Sequence, residues 1–222
     1  MNSLNQTLKV CAIIPFYNEE DFLSDVVSGT LKYVDKVFAV NDGSTDNSVD
    51  KINFFDCVQI ISLDKNYGKG KALQSGFEEA SMQGFDILIT LDADMQHNPE
   101  FIPDFISKAK VYDIVIGNRL NDIKNMPLQR IFSNKITSKL LSIKTGQKIL
   151  DSQCGYRAYK SEVIKKIKSY SSGYEAESEM IILAAKVGFS IGFTNIPTIY
   201  GNEKTKMNPI NAIFGFVKIL FK

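Results

Sequence analysis

The chain has 222 residues, of which 44% are hydrophobic and 23% charged, and it has no Pro/Gly/Ser-rich linker, so a single domain over residues 1–222 is predicted. A formal net charge of +1 excludes the overall basic excess typical of nucleic-acid-binding proteins, and no nucleic-acid partner is expected. No apolar run approaches the roughly 20 residues of a membrane-spanning helix, no secretory leader pattern is recognisable, and the cysteines are scattered, which together predict a cytoplasmic protein.

Four apolar runs in the first half of the chain are typical of buried β-strands, and each run ends in a polar cluster. The runs cover residues 8–15, 36–40, 58–63 and 85–91. The clusters that follow them cover residues 16–20, 41–48, 64–71 and 92–98. Helical patterns follow the first and third clusters. Since ligands of open α/β sheets bind at the carboxyl ends of the strands, the four clusters are expected to converge on one rim of one sheet.

The pair Asp92 and Asp94 follows the fourth run and is the most informative feature of the chain. Two carboxylates at this edge suit Mg²⁺ or Mn²⁺ that carries a diphosphate, because Mg²⁺ is usually held by one or two carboxylates together with substrate phosphates. Aspartates after strands also form turns and cap helices, and Pro99 favours a helix start just beyond. The pair taken alone leaves both interpretations open.

Two basic amphipathic segments occupy the second half of the chain. Residues 123–150 contain six basic residues and no acidic one, and apolar residues recur among them at helical spacing. The apolar positions are Leu128, Ile131, Phe132, Ile136, Leu140 and Ile143. Residues 210–222 repeat this pattern. Such helices either lie in a membrane interface or pack their apolar side on the core with the lysines in solvent.

The polar clusters resemble the motifs of a known family. Segments Ile-Pro-Phe-Tyr-Asn-Glu-Glu, Asn-Asp-Gly-Ser-Thr-Asp-Asn-Ser, Asn-Tyr-Gly-Lys-Gly-Lys-Ala and Leu-Asp-Ala-Asp-Met-Gln are similar to those of glycosyltransferase family 2. The segment Asp-Ser-Gln-Cys-Gly-Tyr-Arg-Ala-Tyr at residues 151–159 resembles the branch of dolichol-phosphate mannose synthase and its bacterial polyprenyl-phosphate relatives. The resemblance spans residues 8–206.

The resemblance implies the α/β class and the GT-A fold, a Rossmann-like, mostly parallel central sheet flanked by helices. Residues 8–118 would form the nucleotide-sugar-binding half, residues 119–206 the acceptor-binding half, and residues 207–222 a C-terminal amphipathic helix. Residues expected to bind the nucleotide-sugar are Pro15, Tyr17, Glu19, Asp42, Asn66, Gly68, Lys71 and Asp92. Asp92, Asp94 and Gln96 are expected around a Mg²⁺ or Mn²⁺ ion, with Asp94 as the direct ligand.

On the acceptor side, the resemblance implies a set of basic and amide residues that recognise phosphate: Arg119, Arg130, Asn134, Gln153, Arg157, Lys204 and Lys206. The cluster Glu175, Glu177 and Glu179 begins a predicted helix over residues 174–187 and lies where other family members carry a general base. Catalysis is therefore assigned to Asp94 and, if a glutamate acts, to Glu177. His97, the only histidine, is interpreted as a residue on the rim of the site.

The function expected from this resemblance is inverting, metal-dependent transfer of a sugar from a GDP- or UDP-sugar to a polyprenyl or dolichyl phosphate. The enzyme would be peripheral on the cytoplasmic face of a membrane, with or without a separate membrane-protein partner. Two alternatives remain: transfer to a hydroxyl of a cell-surface glycan, which needs a general base, and a non-catalytic nucleotide-sugar-binding subunit.

Overall fold

The computed structural model describes residues 8–124, 126–199 and 209–221, without the side chains of residues 209–213. Its strands form one seven-stranded sheet in the order β3-β2-β1-β4-β6-β5-β7. The strands are β1 Val10–Phe16, β2 Lys36–Asn41, β3 Val58–Ser62, β4 Ile87–Thr90, β5 Ile114–Asn118, β6 Arg157–Lys160 and β7 Ile191–Asn195. All four strands predicted from the sequence are confirmed, with bounds that differ by at most two residues.

The helices of the described residues alternate with these strands. They are α1 Leu23–Thr30, α2 Lys69–Met82, α3 Ile102–Ala109, α4 Leu128–Thr145, α5 Ser161–Lys166, α6 Ala176–Val187 and α7 Pro209–Leu220, with a short 3-10 helix at Pro99–Phe101. Helices α1, α2 and α3 pack on the sheet, and α6 packs against α4 and α7. None of the described helices has the length and apolar composition that crossing a membrane requires.

Strand direction determines where the polar clusters lie. Strands β1, β2, β3 and β4 are mutually parallel, so their carboxyl ends meet at the same edge of the sheet, as predicted. Strand β6 pairs antiparallel with β4 and β5, and β7 pairs parallel with β5. Strands β1, β4 and β5 are buried along their whole length, which is typical of strands covered on both faces.

Helix α4 reverses the usual orientation of an amphipathic helix. Its buried positions are Ile131, Asn134, Ser138 and Leu141. Its exposed apolar side chains are Leu128, Phe132, Ile136, Leu140 and Ile143. The predicted helix is confirmed, but the interpretation that packs its apolar side on the core is wrong for five of the six predicted positions, because the helix is held instead by polar contacts to residues 151–153.

Candidate active site

Asp92 and Asp94 lie directly after β4 and are both half-buried. The turn between them and Gln96 is tight, since Met95 has a φ of 61° and the Gln96 N–H donates to Asp94 Oδ1 at 3.1 Å. Gln96 therefore fixes one oxygen of Asp94 through its backbone. The second oxygen of the Asp94 carboxylate is not used in that bond and can take a ligand.

Lys69, the first residue of α2, joins this carboxylate pair to α6. Its Nζ lies 2.5 Å from Asp92 Oδ1 and 3.1 Å from Glu177 Oε2, and its side chain is only 15% exposed. Gly155 allows this approach, because a Cβ there would lie 2.5 Å from the Lys69 Nζ and 3.0 Å from Asp92 Oδ2. The sequence predicts Lys71, and not Lys69, among the residues that bind the nucleotide-sugar. A lysine at a helix N-terminus, where the dipole disfavours positive charge, is the signal that could have identified Lys69.

The electrostatics of the two aspartates differ although they are two residues apart. Burial alone would raise the pKa of Asp92, but the Lys69 ammonium outweighs it and lowers the pKa to about 2. Burial and the negative charge of Asp92 raise the pKa of Asp94 to about 6. The pKa of Lys69 is raised by the Asp92 and Glu177 carboxylates, which outweigh its burial. Asp94 thus carries a negative charge that forms no ion pair with the residues that the structure describes.

The two carboxylates of this site supply some, but not all, of the oxygen ligands that a hard divalent cation needs. Carboxylate oxygens are what Mg²⁺ and Mn²⁺ prefer, and the raised pKa of Asp94 is what a second positive charge would relieve. No group of three or more His, Cys, Asp or Glu side chains in the described part of the chain is arranged to hold a metal ion. Two carboxylates fit a cation whose remaining ligands come from water and from a substrate phosphate.

His97 lies beneath the site and not on its rim, which corrects the interpretation made from the sequence. It is 2% exposed, and its Nδ1 accepts a hydrogen bond from the Asp92 N–H at 3.0 Å. Its ring lies 5.2 Å from that of Tyr156. Burial lowers the pKa of His97 to about 4, so the imidazole is neutral and Nδ1 is free to accept. His97 positions the Asp92 backbone.

The loop between β3 and α2 is fastened to the end of β2. Both oxygens of Asp42 accept backbone N–H bonds at 2.8 Å, one from Tyr67 and one from Gly68, and burial raises the Asp42 pKa. Gly68 has a φ of 97°, a conformation that only glycine adopts readily, and precedes the first residue of α2. Asp42 thus forms a clasp between the loop after β2 and the loop before α2.

Other residues predicted to bind the nucleotide surround this clasp. Pro15 is buried in β1 opposite Val40, one residue before the end of the strand. Tyr17, Glu19 and Lys71 are half-buried, and Asn66 is exposed. The Glu19 charge is among the causes that raise the Asp94 pKa, which places Glu19 near the carboxylate pair. The Lys71 N–H bonds to Gly68 O and Ser172 O, so the same turn also contacts the loop before α6.

Three of the predicted acceptor residues converge on a residue that sequence reasoning had not singled out, the fully buried Asp151. Arg119 donates to it from its backbone N–H and, in a bidentate pair, from Nε and Nη2 at 3.0 and 3.1 Å. Asn134 donates from Nδ2 at 2.6 Å, and the Gln153 N–H donates at 3.1 Å. Burial would raise the Asp151 pKa, but Arg119 lowers it below the ordinary value. The position of Asp151 two residues before Gln153 is its only sequence signal.

Gln153 is the exposed member of this group, and its side-chain amide donates to Ser133 and Thr137 of α4. Arg157 lies at the other extreme, 1% exposed, with its guanidinium bonded to the backbone carbonyls of Ser152, Cys154 and Glu177. These donors are committed to the protein, so Arg157 supports the loop beneath the site and does not face an acceptor phosphate.

The remaining basic residues predicted on the acceptor side have different positions. Arg130 is half-buried near the start of α4. Lys204 and Lys206 lie outside the described residues.

The three glutamates at the start of α6 have separate environments. Glu177 is 6% exposed, and its Oε1 has no hydrogen-bond partner among the described residues, while Oε2 pairs with Lys69. Glu179 is buried and accepts from Ser169 Oγ and from the N–H groups of Tyr170 and Ser171. These contacts fix the loop before α6. Glu175 is half-buried beside the position of Gly215 in α7, where a Cβ would lie 2.8 Å from Glu175 Oε2.

Residues 11–168 match the model of the glycosyl transferase family 2. The chain is 32% identical to the UDP-N-acetylglucosamine–dolichyl-phosphate N-acetylglucosaminyltransferase of Methanococcus voltae, over 95% of this chain and 92% of that protein. It is 35% identical to an undecaprenyl-phosphate 4-deoxy-4-formamido-L-arabinose transferase of Shewanella sediminis, over 70% of this chain and 49% of that protein. A solved structure of Mycobacterium tuberculosis glucosyl-3-phosphoglycerate synthase, with Mn²⁺, UDP and phosphoglyceric acid, superposes with a TM-score of 0.74 at 16% identity, covering 96% of this chain and 76% of that one.

Proposed function

The chain belongs to glycosyltransferase family 2 and has the GT-A fold, and we propose that it transfers a sugar from a nucleoside-diphosphate sugar to a polyprenyl or dolichyl phosphate. The observation that carries the proposal is the pair Asp92 and Asp94 beside Lys69, at the edge where four parallel strands end. Two curated relatives are named as transferases that act on lipid phosphates, which supports this acceptor class.

The donor would bind along the carboxyl ends of β1, β2 and β4. The N-terminus of α2 carries the partial positive charge of the helix dipole, and Lys69 and Lys71 add to it, a combination that favours a diphosphate. The first turn of α2 has no acidic residue to oppose it. Glu19 and Tyr17, half-buried at the end of β1, would contact the base or ribose.

A divalent cation fits the carboxylate pair, and Asp94 would hold it, with Asp92 as a second ligand or a ribose contact. When bound, Mg²⁺ or Mn²⁺ would neutralise the charge that develops on the leaving nucleoside diphosphate. Gln96, whose N–H holds Asp94 Oδ1, would keep the second Asp94 oxygen turned toward the ligand. The Mn²⁺ and UDP crystallised with the fold neighbour from M. tuberculosis support this choice of cation.

The acceptor phosphate would act as the nucleophile without a protein base. A phosphate monoester has a second pKa near ~6 and is largely a dianion at neutral pH. One of its oxygens would form a bond to the anomeric carbon as the bond from that carbon to the nucleoside diphosphate breaks, with inversion and no proton transfer. Glu177 suits this scheme because one of its oxygens pairs with Lys69 and the other is buried, so it is poorly placed to take a hydroxyl proton.

The exposed side of α4 supports contact with a bilayer surface. Its apolar side chains Phe132, Ile136, Leu140 and Ile143 recur every three or four residues and so share one face. Basic side chains flank this face, and Lys144 Nζ donates to the Leu220 carbonyl at the end of α7. Helix α7 also exposes the apolar side chains of Phe214 and Val217, and the exposed Phe221 follows its last residue. An apolar stripe with basic flanks fits the interface of an anionic membrane.

Incubation with Mn²⁺ or Mg²⁺, radiolabelled UDP- and GDP-sugars and short-chain polyprenyl phosphate tests the proposal. We expect label in the organic extract that depends on metal, on the lipid phosphate and on Asp94. Donor binding without lipid-soluble label would contradict the acceptor and favour a glycan hydroxyl. Donor binding without transfer to any acceptor would favour a non-catalytic nucleotide-sugar-binding subunit, and absence of any donor binding would contradict the proposal.

Membrane contact has a separate test. The double variant Phe132→Gln/Ile143→Gln is expected to co-sediment several-fold less with phosphatidylcholine–phosphatidylglycerol vesicles, and salt should weaken binding of the wild type. Met82→Gln, which removes an exposed apolar side chain at the end of α2, is the matched control. Equal sedimentation of all three proteins would contradict the assignment of this surface.

A further inference from the structure

Lys69 occupies a position where the helix itself disfavours a lysine. It is the first residue of α2, no acidic residue follows in the first turn, and Lys71 adds a second positive charge. The N-terminal end of a helix carries a partial positive charge. The ammonium is stabilised by carboxylates from two distant parts of the chain, Asp92 after β4 and Glu177 in α6.

The two partners of Lys69 differ in a way that matters for ligand binding. Glu177 is buried, with 8% of its side chain exposed, and belongs to a helix that is buried along most of its length. Asp92 has 30% of its side chain exposed and belongs to the carboxylate pair at the open edge of the sheet. The Lys69 ammonium is therefore held by Glu177 in the interior. On its more exposed side it bonds to Asp92, a carboxylate of the proposed cation site.

Resting on the proposed donor site, we propose that Lys69 is the built-in counter-cation of the carboxylate pair and makes binding of a divalent cation depend on a nucleoside diphosphate. Without the diphosphate, an incoming cation meets an ammonium that already holds Asp92 Oδ1 at 2.5 Å. Two positive charges then compete for the same oxygens. Lys69 acts through Asp92 and is in this sense a positioning residue.

A bound diphosphate removes this competition. It offers the ammonium another anionic partner at the N-terminus of α2, while Glu177 keeps the lysine side chain in place. Asp92 is then free to face the cation together with Asp94. Since coupling between two ligands is reciprocal, the cation strengthens nucleotide binding by the same factor.

The test is the affinity of the purified full-length chain for Mn²⁺, measured by electron paramagnetic resonance with and without UDP or GDP. Values are corrected for Mn²⁺ held by free nucleotide. For the wild type we expect weak Mn²⁺ binding alone and binding at least ~10-fold tighter with one of the nucleotides. Lys69→Gln keeps a hydrogen-bond donor but loses the charge, and it should bind Mn²⁺ alone roughly 10-fold more tightly than the wild type. Its nucleotide-dependent gain should shrink.

Two further variants serve as controls. Lys71→Gln makes the same charge change two residues along the same helix. Since Lys71 is assigned to the diphosphate and not to the carboxylate pair, the affinity of this variant for Mn²⁺ without nucleotide should stay within about 3-fold of the wild type. Lys69→Arg keeps the positive charge and should bind Mn²⁺ as the wild type does. A disrupted fold would weaken Mn²⁺ binding, so a rise in affinity cannot come from structural damage.

The inference is overturned if Lys69→Gln binds Mn²⁺ no more tightly than Lys71→Gln. Tight Mn²⁺ binding by the wild type without nucleotide also overturns it, and that measurement needs no variant to fold. Asp94→Asn separates this failure from failure of the proposed function. If Asp94→Asn binds Mn²⁺ as well as the wild type does, the cation site itself is misassigned.

Discussion

The two sides of the site use similar polar residues in opposite ways. At the donor edge, Asp92 and Asp94 lie close together at a half-open surface, and Asp94 forms no ion pair within the described part of the chain. On the acceptor side, Asp151 is fully buried and receives a bidentate arginine and three further N–H donors. Unbalanced charge at a surface is available to a ligand, whereas satisfied charge in the interior holds the loop together.

The largest effect on activity is expected for substitution of Asp94 at the donor edge. Asp94→Asn should lower sugar transfer roughly 100- to 1,000-fold, because it removes a charge that the leaving diphosphate and its cation require. Its thermal stability should not fall, since Asp94 is repelled by Asp92 in the folded protein. Asp86→Asn, at the opposite end of the same strand run, is the control and should keep full activity. A large loss of stability in Asp94→Asn would contradict the distinction between ligand-binding carboxylates at the donor edge and the structural carboxylate Asp151.

The matching change on the acceptor side should act on folding. In Asp151→Asn the half-buried Arg119 guanidinium loses the buried carboxylate that accepts from its Nε and Nη2, and we expect the free energy of unfolding in urea to fall by about 3–5 kcal/mol. Glu78→Gln breaks an exposed ion pair with Lys168 and should leave unfolding unchanged. Normal stability with lost transfer in Asp151→Asn would instead make Asp151 a residue of the acceptor site.

The pH dependence of stability tests the role of His97, which accepts the Asp92 N–H hydrogen bond beneath the donor edge. Its pKa of about 4 in the folded protein lies below the ordinary value of 6.5, so the unfolded chain takes up a proton first as the pH falls. The contribution of His97 to stability is present above pH ~6.5 and is lost toward pH 4, with about 2 kcal/mol lost by pH 5. His97→Gln cannot titrate, and its stability should decline by that much less between pH 7.5 and 5. Parallel pH profiles would contradict a buried neutral imidazole.

The smallest effect is expected at the exposed member of the Asp151 group. Gln153→Ala loses side-chain hydrogen bonds to Ser133 and Thr137, so unfolding should be easier by only about 0.5–1 kcal/mol. Because this amide is reachable from solvent, we expect the KM for polyprenyl phosphate to rise several-fold at unchanged kcat. An unchanged KM would leave Gln153 as a contact between its loop and α4 and nothing more.

Prediction from sequence succeeded where the signals are local. Each apolar run and the polar cluster that follows it are consecutive in the chain, and parallel strands of one sheet must end at one edge. It was least complete for basic residues. Nothing local distinguishes the buried Arg157, bonded to three carbonyls, from an arginine that faces a phosphate. The ion pairs of Lys69 with Asp92 and Glu177 are equally invisible in the local sequence.

The sequence by itself determined the fold class, the family and the edge of the sheet where the chemistry is proposed to occur, because strand periodicity and strand-end motifs need only neighbouring residues. The tertiary structure alone decided which charges pair. It brought Glu177 to within 3.1 Å of Lys69, more than a hundred positions away in the chain, and turned the apolar face of α4 outward because Asn134 and Ser138 bind the loop around Asp151. Pairing of this kind depends on packing between distant segments, which no local pattern encodes.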